Sequence, residues 1–165
     1  MALPQLNAED MRELDRVLGE LVSRSEASAA LIIDKAGFLI AQTGDFGEFD
    51  STTLAALAAG TFAATQGMAS VISEPNFTCV YQQGENFSLL VRNVDAESLV
   101  MVVFQAHVSV GAVKYFANSA VAHLAKQFEV AQQRDPSGKV DFAMTIDISL
   151  LSTAVPLIGQ AKADA

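Results

Sequence analysis

Cys79 is the chain's single thiol, and His107 and His123 are its two imidazoles. A thiol beside an imidazole, with Asp141 or Asp147 orienting the ring, is the residue set of a nucleophilic hydrolase. No local motif accompanies the set, and Cys79 stands in an apolar run where an unpaired Cys behaves as a small hydrophobe. One Cys and two distant His also lack the paired spacing of a metal site. Gly37, Gly44 and Gly47 form a glycine-bearing stretch, but it lacks the Lys and Ser or Thr with which a phosphate cradle holds a nucleotide. No catalytic residue, metal or cofactor is expected, so the function should lie in what the surface binds.

The balance of 10 Lys and Arg against 19 Asp and Glu gives a formal charge of −9. That charge opposes the counterion release that drives binding to phosphate backbones, so no nucleic acid is expected as a partner. With 165 residues, 51% of them hydrophobic, the chain can bury a core without disulfides, and its lone cysteine cannot form an internal one. The N-terminal residues lack a basic region followed by an apolar core, which reads as cytoplasmic. Asn76-Phe77-Thr78 matches a glycosylation sequon, a pattern short enough to arise by chance.

The elements follow from periodicity. Met11, Leu14, Leu18 and Leu21 repeat at helical spacing after an Asn7 to Asp10 capping-box pattern, giving a helix that ends near Arg24. Ala29 to Ile33 and Phe38 to Ala41 flank Asp34-Lys35-Ala36-Gly37 as a β-hairpin. A second helix spans about Ser51 to Ile72. Phe77 to Gln82, Phe87 to Arg92 and Leu99 to Phe104 read as a three-strand meander, and a third helix runs from about Val110 to Gln133. The expected order is α-β-β-α-β-β-β-α, an α/β (α+β sandwich) domain over residues 6–133 with a mixed or antiparallel five-stranded sheet. Residues 134–165 read as a tail, with Phe142, Ile146, Ile148, Leu150 and Leu151 left to dock on the domain, on another copy or on a partner.

The second helix carries no charge between Asp50 and Glu74. Its threonines, Gln66 and Ser70, and its place between strand segments, argue against membrane insertion. At ~100° per residue, Leu54, Leu57, Thr61, Thr65, Met68 and Ile72 share one face, with Phe62 on its flank. This bulky face is expected to hold the helix on the sheet and to bury Leu57. The opposite face is Ala56, Ala59, Gly60, Ala63, Gly67 and Ser70. Two interior glycines cost about 1 kcal/mol each relative to Ala, so a close approach by another molecule is expected there.

The hairpin Ile32 to Ala41, the entry Asp50-Ser51-Thr52-Thr53 into an Ala/Gly-rich helix, and Ser109-Val110-Gly111-Ala112-Val113-Lys114 resemble the roadblock (dynein light chain type) domain family, and within it the MglB-like bacterial members. The resemblance covers roughly residues 6–133. It implies a homodimer whose sheets join through the second strand, here Phe38, Leu39, Ile40, Ala41, Gln42 and Thr43, with the two second helices side by side. It also implies that a small Ras-like GTPase docks across those helices and has its GTP hydrolysis accelerated, in cell polarity or surface motility and at a cell pole. The apolar edge strand agrees with this, since without Lys or Pro it would aggregate unless paired.

A GTPase activator can supply an arginine finger in trans. The five arginines are Arg12, Arg16, Arg24, Arg92 and Arg134, and none falls on the small face of the second helix. Any acceleration is therefore expected to come from ordering the GTPase's own switch residues. The alternative is an adaptor of the same fold that docks partners and changes no rate.

Overall fold

The computed structural model describes residues 3–134 and contains eight elements: α1 (Ala8–Ser25), β1 (Ala29–Asp34), β2 (Leu39–Gly44), α2 (Ser51–Val71), β3 (Cys79–Gln83), β4 (Phe87–Asn93), β5 (Ser98–Gln105) and α3 (Val110–Arg134). The five strands form one sheet in the order β2-β1-β5-β4-β3, and every pair is antiparallel. No parallel pairing is present among the described residues, so the expected mixed-or-antiparallel sheet is antiparallel. The tail lies outside the described residues, apart from Arg134 itself.

Local chemistry sets the boundaries. Asn7 accepts from the Glu9 and Asp10 amides at 2.9 Å each, and Asp10 Oδ2 accepts from the Asn7 amide at 2.8 Å, completing a capping box that starts α1. Gly37, at φ +100°, closes the β1–β2 turn, where the Asp34 carboxylate accepts from the Ala36 amide. Asp95 closes the β4–β5 turn by accepting from the Glu97 and Ser98 amides at 2.9 and 2.8 Å.

The sheet is covered on both faces. Leu14, Leu18 and Leu21 of α1 and Leu124 and Phe128 of α3 bury one face with Ile32, Val100, Val102 and Phe104. Ala55, Ala58, Ala59 and Phe62 of α2 bury the other with Leu31, Ile33, Val91 and Met101. β1 and β5 are central and covered twice, which is why each reads as an unbroken apolar run. Among the described residues β2 and β3 are the two edge strands.

At one end the helices of the first layer are locked together. Asp10, 1% exposed, accepts from Arg134 Nη2 at 2.5 and 2.6 Å and from Gln127 Nε2 at 2.7 Å. Burial pushes its pKa up, but the hydrogen bonds from Arg134, the Asn7 amide and Gln127 outweigh it and hold the carboxyl below its ordinary value of 3.8.

Candidate functional site

α2 starts on Asp50, whose carboxylate accepts from the Thr52 amide at 3.0 Å and the Thr53 hydroxyl at 2.5 Å. Hydrogen bonding from Thr53 lowers the pKa of this N-cap. Near the helix end, Gln66 Nε2 donates to the Phe77 carbonyl at 2.7 Å and ties α2 to the segment that returns to β3. Thr65 and Ser70 donate their hydroxyls to the Thr61 and Gln66 carbonyls, at 3.0 and 3.3 Å, so these side chains are engaged with their own helix.

The helix is turned differently from the expected wheel. Ala55, Ala58, Ala59, Phe62 and Ala69 are buried, whereas Leu57 is 63% and Met68 59% exposed. The buried stripe lies about a quarter-turn from both expected faces. Leu57, Met68 and Ile72 therefore do not hold α2 on the sheet; Phe62 does, between alanines whose small side chains let the helix lie close to the strands. Ala59 is a second correction, at 5% exposure on the core side. Ala56, Gly60, Ala63, Gly67 and Ser70 are exposed.

The glycines separate by environment. A Cβ on Gly37 would sit 3.2 Å from the Ala56 Cα, so the hairpin turn rests on Ala56 and gives its small side chain a reason inside the chain. A Cβ on Gly60 or Gly67 would meet nothing within 4 Å. Among the described residues, no packing asks for glycine at either position.

Beside Ala63 a cleft of about 500 Å³ opens between α2 and the β4–β5 turn, with Phe62, Gln66 and Asn93 in its walls. Lys35 enters it from the β1–β2 turn, donates to the Asp95 carbonyl at 2.8 Å and lies 6.0 Å from the Phe62 ring centroid. Burial lowers its pKa, against the opposing pull of Asp95 and Glu97.

β2 borders this surface and, among the described residues, pairs only with β1, in a register that shifts between Ile32 and Ile33. Leu39 packs toward α2, while Ile40 and Ala41 pack toward the α1 side. Phe38 lies just outside the strand, 72% exposed, rather than within it as expected. No charged residue occurs from Phe38 to Gly44.

The residues weighed for catalysis are not brought together. Cys79 borders a groove with Met68 and Ile72, His107 one with Glu85 and Phe87, and His123 one with Arg24 and Phe116. Asp141 and Asp147 lie outside the described residues. Among the described residues, no three His, Cys, Asp or Glu side chains cluster as a metal site would need. α2 is long and apolar enough to cross a membrane by length and composition. It nevertheless lies along one sheet, joins two of that sheet's strands and packs Phe62 into the core.

A sequence model of the Roadblock/LC7 domain matches residues 13–104, from within α1 to the end of β5. The chain belongs to the roadblock family. Solved roadblock structures similar to it include Myxococcus xanthus MglB, 30% identical, with a TM-score of 0.72 over 77% of this chain and 96% of that one. The gliding protein MglB of Thermus thermophilus is 31% identical, with a TM-score of 0.71 over 78% and 97%. An MglB described as having a tetrameric arrangement is 32% identical, with a TM-score of 0.72 over 79% and 97%. The eight-element order and the antiparallel sheet are those of the roadblock fold.

Proposed function

We propose that this roadblock protein is a homodimeric regulator that docks the GTP form of a small Ras-like GTPase on its α2 surface and stimulates hydrolysis by ordering the GTPase's switch residues. The observation that carries the reading is the uncharged, exposed side of α2, where Gly60 and Gly67 face open space. Each glycine costs the helix about 1 kcal/mol relative to Ala, a cost that a partner's close backbone approach offsets. The likeness to MglB structures at about 30% identity supports a regulator of that kind.

The edge at β2 supports the dimer. Pairing of two β2 strands would satisfy their outward backbone groups and bring two α2 helices to one side of a continuous ten-stranded sheet, twice the five of one chain.

The places of the arginines support ordering rather than an arginine finger. Arg12, Arg16 and Arg24 belong to α1 and Arg134 to α3, both on the sheet face opposite α2. Arg16 is held by Glu13 and Glu20 at 2.6 Å each, Arg24 lies over the Phe116 ring, and Arg92 donates to Asn118 of α3. A partner on α2 meets none of them from the same protomer.

Single-turnover GTP hydrolysis by a Ras-like GTPase from the same genome, with and without this protein, tests the proposal together with binding in both nucleotide states. Stimulation with preference for the GTP form is the expected result. Equal binding to both forms without stimulation would make the protein an adaptor, since a ligand without differential affinity shifts no equilibrium.

A further inference from the structure

An apolar groove of about 460 Å³ runs between the last turns of α2 and the other free edge of the sheet, lined by Thr65, Met68, Ile72, Phe77, Cys79 and Val80. Ile72 is 66% exposed beside it. Among the described residues β3, which forms one wall, pairs only with β4 and so presents a row of backbone donors and acceptors along its outer side.

Beyond Arg134 the chain continues to Ala165, and residues 142–150 read Phe-Ala-Met-Thr-Ile-Asp-Ile-Ser-Leu. Apolar side chains occupy Phe142, Met144, Ile146, Ile148 and Leu150, and the smaller or polar Ala143, Thr145, Asp147 and Ser149 stand between them. That is period-two alternation, the pattern of a strand with one face buried.

Its point of departure suits the groove. α1 ends next to the start of β1, so its beginning, and Arg134 bound to Asp10 there, lie toward the opposite end of the sheet. This is the end where Cys79 opens β3, in one row with Arg92, Val100 and Ile32. The linker 135–141 can span about 24 Å when extended. A five-stranded sheet is only about 19 Å across.

We propose that residues 142–150 add to the β3 edge as a sixth strand, seating their alternating apolar side chains in the groove between α2 and β3. Main-chain hydrogen bonds to β3 would supply affinity, and the groove would set the register by burying one face. The added strand enters at the Cys79 end and runs parallel to β3. The inference does not rest on the GTPase reading, although the groove shares Met68 and Ile72 with the exposed side of α2.

Cys79 is the chain's single thiol and opens β3 with its side chain toward the α1 and α3 layer, so a strand added along the β3 edge would pass beside it and slow its alkylation. The test compares the full chain with Ile146→Asp/Ile148→Asp and with Thr145→Asp/Ser149→Asp, reading Cys79 alkylation and hydrogen exchange of the Cys79–Gln83 amides. Both variants add the same charge to the same segment. The Ile pair should raise alkylation about tenfold or more and deprotect β3, as expected when a local closed state is lost, while the Thr/Ser pair leaves both unchanged. Ile72→Asp on the exposed groove wall should reproduce the Ile-pair result with the fold retained by circular dichroism. Equal rates for the two pairs, or a full-chain rate already equal to that of an unprotected thiol, overturn the proposal. Protection that grows with protein concentration would put a second copy's segment in the groove and overturn the assignment to the chain's own tail.

Discussion

Replacing Gly60 and Gly67 together with alanine should make the chain more stable and its partner complex weaker. An added Cβ at either site meets nothing within 4 Å among the described residues, so neither alanine introduces a clash with them. Each removes the interior-glycine penalty of about 1 kcal/mol. The sites are seven residues apart, about 10 Å along the helix axis, so their effects should add to about 2 kcal/mol of stabilisation. Urea unfolding followed by far-ultraviolet circular dichroism, at one fixed protein concentration, should show a higher midpoint with unchanged slope. If a partner's backbone approaches those positions, each methyl overpacks the contact by about 1 to 3 kcal/mol, a loss of roughly 5- to 150-fold in affinity per site. Titration against the GTP-bound GTPase reads this directly. Tighter folding with unchanged affinity would refute the reasoning that the glycines serve an intermolecular contact. A lower urea midpoint would show that they are packed within the protein.

Other expectations follow from burial and edge geometry. Leu57→Ala should alter stability by less than about 0.5 kcal/mol because Leu57 faces solvent, whereas Phe62→Ala should cost about 3 to 5 kcal/mol; the same urea experiment measures both. Gln42→Lys with Thr43→Lys should convert a β2-paired dimer to monomer in sedimentation, since lysine on an edge strand opposes pairing, and a persistent dimer would place the interface elsewhere. Asp10 has a folded pKa below its ordinary value of 3.8, so its contribution is present above that value and is lost as pH falls through the lower folded pKa. Asp10→Asn should cost about 2 kcal/mol at neutral pH and flatten the acid limb of a stability-versus-pH curve; an unchanged limb would show that the Arg134 contact contributes little.

Much of this architecture was legible because its signals are local. The capping box at Asn7, the Asp34 to Gly37 turn and the doubly covered runs of β1 and β5 all announce themselves in short stretches, and all eight expected elements are present in order. The rotation of α2 was not legible by the same means. Its hydrophobic signal is nearly uniform around the helix, because alanine is neither bulky enough to demand burial nor polar enough to refuse it. Placing the largest residues inward was the wrong arbiter. The sheet face beneath α2 is already filled by Leu31, Ile33, Met101 and Val91, and what fits above it is a layer of alanines and one phenylalanine. The signal available was Phe62 together with Ala55, Ala58 and Ala59, which share one side at helical spacing. The site inherits this outcome: three of the residues expected to hold the helix on the sheet, Leu57, Met68 and Ile72, belong to its exposed surface together with Val71, and Ala59 leaves it.

An alanine layer has a second consequence, which links the packing to the function proposed. Because α2 reaches the sheet through small side chains, its larger ones are left outside, and the exposed side combines Leu57, Met68 and Val71 with Gly60 and Gly67 and carries no charge. Scattered apolar residues on a surface need no explanation, but a helix-long uncharged side in a chain of net charge −9 does. In a helix that served only to cover the sheet, lysine or glutamate at these positions would improve solubility at no cost to the core. Glycine at 60 and 67 would likewise be dispensable. The bulky residues supply area to bury and the glycines supply places where a partner's backbone can come close, so the two features make one surface rather than two. That surface asks for a partner that is smooth and apolar where it meets the helix, and charge introduced at Ala63 or Gly67, both exposed, should abolish docking while leaving the Phe62 side of α2 intact.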